Sequence, residues 1–329
     1  MSSNQSQTPM EWVNTKLEIL GIPMKDIGGS IMLLIEMAMR EARIDVLDWF
    51  KANGLNVNNR IVDNNGEWYL FIHLAARTGC MEAVKWLLNN SVNVDERDSR
   101  NRTPMDVVAI DGKVEMIKFL KENGADIYAR DEYNFTPMDQ ACIYERTDII
   151  KCLKESGYNL NTKDNEGMAS ISIAALMGKV NSIACLKELG ADIEIKDNDG
   201  QTPIHKAAMA GEIEAIKCLA KLGAKIEEKN NEGFTAVFFA AMGVKNQVEA
   251  IECLASLKAN IEARDNIGRT PIFSAVIHEG DVKIAIMECL KKLGAKLDAK
   301  NNSGKTAVDF AISSGEPTGA EWLRKNGVR

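Results

Sequence analysis

Gly200-Gln201-Thr202-Pro203-Ile204-His205-Lys206-Ala207-Ala208 decides the fold, because it is a helix start that recurs down the chain. Thr is a good N-cap, since its hydroxyl accepts a hydrogen bond from the first turn. Pro fits the first helical position, where its missing N–H is not needed. The paired alanines allow close approach of a second backbone. A glycine, Gly211, then breaks the chain, and Glu214-Ala215-Ile216-Lys217-Cys218-Leu219 has an apolar stripe at helical spacing. That second helix ends at Leu222-Gly223-Ala224, where a left-handed residue closes it. The polar stretch Lys196-Asp197-Asn198-Asp199-Gly200 before each start has the chemistry of a tight turn.

The start position reads Thr103, Thr136, Ala169, Thr202, Thr235, Thr270 and Thr306, with steps of 33, 33, 33, 33, 35 and 36 residues. An earlier copy, His73-Leu74-Ala75-Ala76, places Leu70 at the cap. The extra residues near Val244–Gln247 and His278–Val282 fall between the two helices of a unit and are expected to alter a surface loop alone. Second helices are expected to close at Gly124, Gly157, Gly190, Gly223 and Gly294, with Lys258 at the same position in one unit and therefore left-handed.

Period 33, a Thr-Pro-Ile-His start and a Gly-Ala-Asp-like end together resemble the ankyrin repeat family. The resemblance implies an all-α solenoid of stacked helix-turn-helix units with short β-hairpin loops, about nine in number. Residues 1–58 are expected to hold an N-terminal capping helix, opened by Thr8-Pro9-Met10-Glu11 and running to about Leu20, plus a degenerate first repeat. Residues 59–329 form the array, with Ala320–Lys325 as a polar-faced terminal cap. Asp106, Asp139 and Asp309 replace the His of the start motif, and an acid there still accepts from the helix start.

The chain has 329 residues, 45% hydrophobic and 26% charged, with a formal charge of −7. That composition suits a packed protein. The charge and the lack of a Lys/Arg run exclude a phosphate-tracking surface, so no nucleic-acid partner is expected. The apolar stretch Ile31–Ile35 closes at Glu36, and the first residues lack a basic or apolar leader. No membrane association is expected, and a cytoplasmic monomer is, with nuclear or cytoskeletal association left open.

Cys152, Cys185, Cys218, Cys253 and Cys289 are one repeat position seen five times. Helices packed roughly 8–10 Å apart exceed the ~4.4–6.8 Å Cα separation of a disulfide, so each is read as a small buried apolar side chain. No His–Cys spacing suits zinc. Ala299–Thr306 loosely resembles a phosphate-binding loop, but Lys305 and Thr306 fall on a repeat turn and helix start, not between a buried strand and its helix. No cofactor, no metal and no catalytic residue is expected.

The resemblance implies that a partner meets the hairpin tips and the ends of the first helices, on the concave side. The expected contact residues are Tyr133, Phe135, Ile143, Tyr144, Leu176, Met177, Met209 and Met242, with Trp68 and Tyr69 as a second end. Phe234 and the arginines Arg100, Arg102 and Arg269 lie among the same hairpins, where the arginines are expected to meet acids of the partner. Apolar stripes of Met and aromatic residues with Arg are typical contact material. The partner is expected to be another protein, presenting a helix or an extended segment; four stacked units spread the row over roughly 30 Å, the length of an amphipathic helix of about 20 residues. The expected function is a protein–protein interaction scaffold or adaptor; the alternative is an inhibitor, regulatory subunit or effector whose activity resides in a partner enzyme. Asn161 stands at the repeat position that asparaginyl hydroxylases modify in ankyrin proteins; the other units carry Asp95, Tyr128, Glu194, Glu227, Glu262 or Asp298 there, and the resemblance leaves hydroxylation of Asn161 open.

Overall fold

The computed structural model describes residues 7–22, 27–278 and 282–328. The chain falls into two compact units, Met1–Tyr158 and Asn159–Arg329.

The first unit opens with α1 (Pro9–Leu20), capped by Thr8 in a reciprocal box with Glu11 and closed by left-handed Gly21. Trp12 of α1 is fully buried and its indole Nε1 donates to Glu41 at 2.9 Å. Helix pairs follow: α2 (Ile27–Arg40) and α3 (Ile44–Ala52), then a hairpin of β1 (Ile61–Val62) and β2 (Trp68–Tyr69), antiparallel with Ile61 opposite Tyr69. The next pairs are α4 (Phe71–Thr78) with α5 (Met81–Asn89), α6 (Pro104–Asp111) with α7 (Val114–Glu122), and α8 (Pro137–Ile143) with α9 (Thr147–Glu155).

The second unit contains α10 (Ser170–Leu176) with α11 (Val180–Glu188), α12 (Pro203–Ala210) with α13 (Ile213–Lys221), and α14 (Ala236–Met242) with α15 (Gln247–Ser256). It continues with α16 (Pro271–Val276) and α17 (Val282–Lys292), then α18 (Ala307–Ser313) and α19 (Pro317–Lys325). Thr103, Thr136, Ala169, Thr202, Thr235, Thr270 and Thr306 each stand at an N-cap, as their spacing predicts.

First helices are buried nearly all round: in α12, Pro203 through Ala208 are all buried. Second helices bury one stripe. Ala215, Ile216 and Leu219 of α13 are fully covered while Glu214, Lys217 and Lys221 face solvent. Each such Ile or Leu stabilises the unit by about 1.5–3 kcal/mol. At the end, Ala320 and Leu323 are buried while Glu321, Arg324 and Lys325 remain exposed. The two-residue insertion lies between α14 and α15, as expected; residues 279–281 of the longer one lie outside the described residues.

Regular strand pairing is confined, among the described residues, to β1–β2 and one bridge between Lys300 and Thr306. Elsewhere an aspartate or asparagine side chain does the work of a ladder. Asp197 Oδ1 accepts from the N–H groups of Asp199 and Gln201 at 3.0 and 2.7 Å, and its own N–H donates to Gln201 O. Within the second unit the turns are bonded in series: the side-chain amides of Asn231, Asn266 and Asn302 donate to the carbonyls of Asn198, Asn231 and Asn266. A parallel column of bases, Lys163, Lys196, Lys229 and Arg264, donates to the carbonyls of Lys196, Lys229, Arg264 and Lys300. These cations are held against backbone oxygens and follow the turns from unit to unit.

Candidate protein-contact surface

The helix starts show how position, not residue type alone, sets the chemistry of a side chain. His205 Nδ1 accepts from the Thr202 N–H at 2.9 Å, which leaves the proton on Nε2 to donate to Glu228 O at 3.0 Å. Burial lowers its pKa to about 4, so the ring is neutral. His73 is placed in the same way, between Leu70 N–H and Arg102 O, and burial lowers its pKa too.

The acids at that position complete the same box but reach less far. Asp106 Oδ2 accepts from the N–H and hydroxyl of Thr103 at 2.7 and 2.8 Å, while Oδ1 is buried with no hydrogen-bond partner. Burial pushes this carboxyl up to about 7, against the two Thr103 bonds, with the nearby Asp131 adding to the rise and Arg97 opposing it. Asp309 makes the same two bonds to Thr306 near the surface, and there they lower its pKa. Thr306 is thus a helix cap, and Lys305 pairs backbone to backbone with Asn301. In the box of Thr136 and Asp139, the phenol oxygen of Tyr158 meets the Thr136 hydroxyl at 3.0 Å.

The expected contact residues all retain solvent-facing surface. In the first unit Tyr133 is 64% and Tyr144 50% exposed, while Phe135, Ile143, Trp68 and Tyr69 are half-buried. Tyr133 and Phe135 sit together, with ring centroids 6.4 Å apart. Trp68 and Tyr69 are partly covered by their own chain, since Arg60 lies 3.9 Å over the indole and Arg77 5.4 Å over the phenol. In the second unit Leu176 and Met242 end α10 and α14, Met177 caps α10, and Met209 is the penultimate residue of α12. Met177 is 42% exposed and the other three are half-buried.

Three expectations need correction. Phe234 is buried, stacked on Phe238 at 4.9 Å, because its turn folds the ring inward over α14. Arg100, Arg102 and Arg269 are already in ion pairs, with Glu67, Asp98 and Asp265, so they are not unpaired cations waiting for a partner's acids. Cys218 is half-buried instead of covered, although burial still raises its pKa, as it raises that of Cys289 to about 11.

Two surface features escaped the sequence reading. Val244, in the two-residue insertion, is 82% exposed and borders a hollow lined by Met242, Ile277 and His278. A second hollow of about 270 Å³ opens beside Phe239 and Met242, with Asp199 and Glu232 at its mouth. The available signal was the acid before each tip glycine, Glu166, Asp199 and Glu232, at steps of 33 residues.

A family model described as ankyrin repeats in three copies matches residues 34–131, 72–164 and 171–265, well over half of the chain. The chain belongs to the ankyrin repeat family. Among solved structures, the human ASB11 ankyrin repeat domain is similar at 22% identity and a TM-score of 0.54, over 68% of this chain and 98% of that one. The ankyrin repeat domain of Bcl-3, described as a unique member of the IkappaB protein family, is similar at 20% identity and TM-score 0.54, over 67% and 97%. At these identities the likeness establishes the fold. No curated protein matches the chain. Among the described residues, no helix of this ankyrin repeat protein is long and apolar enough to cross a membrane. Asn161 is exposed, and its Oδ1 accepts from the Asp192 N–H at 3.0 Å, the same linkage that Glu227 makes to Asn260.

Proposed function

We propose that this ankyrin repeat protein is a scaffold or adaptor that captures a segment of another protein on the ends of its first helices and the adjoining turns. Ankyrin repeats generally mediate protein–protein interaction. The observation that carries the reading here is the solvent-facing apolar side chains at helix ends and an adjoining turn: Tyr133 in a turn and Tyr144 at a helix end in the first unit, and Met177, Met209 and Met242 at helix ends in the second. Solvent-facing aromatic and Met side chains cost solubility and contribute little to a core, whereas in an interface they supply rigid anchors and an adaptable lining.

The test is Met177→Glu/Met209→Glu in full-length protein, used as bait with wild type for proteins captured from lysate and identified by mass spectrometry. The variant is expected to weaken binding of a captured partner by more than about 2 kcal/mol with the thermal midpoint nearly unchanged. Unfolding of the variant would assign these methionines to the core. A stable variant that binds as wild type would move the contact away from this row.

A further inference from the structure

The hollow beside Phe239 and Met242 differs in kind from the apolar row it adjoins. Phe239 is almost fully buried, Phe234 is buried and Met242 half-buried, so the hollow they line has a hydrophobic wall. At the mouth stand the carboxylates of Asp199 and Glu232, both exposed and neither in an ion pair or side-chain hydrogen bond among the described residues. Two cations on neighbouring segments are compensated. Lys206 is buried against Asp197 at 2.5 Å, and Arg269, whose guanidinium lies 5.4 Å over Phe234, is held by Asp265.

An apolar wall beside two carboxylates that no cation pairs among the described residues matches one class of side chain. Resting on the proposed capture of a protein segment, we infer that this hollow takes an arginine projecting from the partner. Its methylene stem lies along Phe239 and Met242, and its planar guanidinium offers five donors in a fork that serves the two carboxylates together. A lysine ammonium, a compact and more strongly hydrated charge with three donors, serves them less well. The protein's overall charge of −7 favours approach of such a basic segment.

The test uses full-length protein carrying 13C-methyl methionine, titrated with N-acetyl-arginine methylamide and, separately, with its lysine and norleucine counterparts. Arginine is expected to produce a saturable shift of the Met242 methyl resonance in the millimolar range, lysine a weaker one, and norleucine little. Asp199→Asn/Glu232→Gln is expected to raise the apparent dissociation constant at least tenfold. Glu188→Gln/Glu249→Gln, which removes the same charge from exposed positions on α11 and α15, leaves it unchanged. Equal weakening by both double variants, or norleucine binding as well as arginine, overturns the proposal. In the capture experiment, a partner lost to the methionine variant but held unchanged by Asp199→Asn/Glu232→Gln overturns the pocket alone. A partner lost to the acid variant but indifferent to the methionine variant supports the pocket and overturns the row.

Discussion

Asp106 sets a pH dependence that one substitution should erase. Its carboxyl is buried, with a pKa pushed up to about 7, while an unfolded chain restores the ordinary value near 3.8. Between those values the folded state holds a proton that the unfolded state has released, so stability falls as pH rises through the window and is flat above it. This is the reverse of the usual salt-bridged aspartate. From pH 5 to pH 8 the linkage relation gives a loss of roughly 2–3 kcal/mol from this one group. Asp106→Asn keeps an oxygen to accept from the Thr103 N–H and hydroxyl and removes the titration. Urea unfolding of wild type and variant at half-unit steps from pH 5 to 8 is expected to show the variant gaining on wild type by that amount as pH rises. A difference between the two proteins that stays constant across the range would mean that the folded carboxyl is ionised throughout, and the burial argument would fail.

Two further substitutions test the backbone. Lys258 has φ of 68°, where Gly190, Gly223 and Gly294 have 94°, 93° and 93°, and its side chain is exposed; Lys258→Gly is expected to gain about 0.5–1 kcal/mol in equilibrium unfolding, less the entropy glycine adds to the unfolded chain. A clear loss would show that the lysine contributes something besides strain. Gly200 has φ of 77°, and a Cβ there would lie 2.9 Å from the backbone nitrogen of Asn231; Gly200→Ala is expected to cost about 1–3 kcal/mol and to lower the thermal midpoint, whereas a neutral result would mean that the turn relaxes freely.

The repeat was legible because its signals are local: a Thr cap, a Pro, a closing glycine and a helical stripe each act within a few residues, and all seven start positions from Thr103 to Thr306 became N-caps. The contact surface was legible only in part. Apolar type at a helix end predicted exposure correctly for Met177 and Tyr144 but not for the turn residue Phe234, whose burial depends on how a turn leans over its helix. Charge was less legible still, since Arg102 and Arg269 read as unpaired until their i−4 aspartates, Asp98 and Asp265, were seen to be nearly enclosed. The Asp106 and Asp309 boxes have the same sequence logic and opposite pKa shifts, because depth in the fold is not written in the motif.

The series of side-chain amides from Asn231 to Asn302 bears on how such a gene can change length. Every rung joins one turn to the preceding one through the same pair of atoms, so deleting or duplicating a whole unit leaves the two new neighbours with matching halves of the bond. A partial insertion on this edge would put a rung out of step. On the opposite edge, between the helices of a unit, the additions near Val244 and His278 have entered while the amides of Asn266 and Asn302 still find their carbonyls. The second unit therefore has one margin that tolerates drift in length and one that admits change only by whole copies.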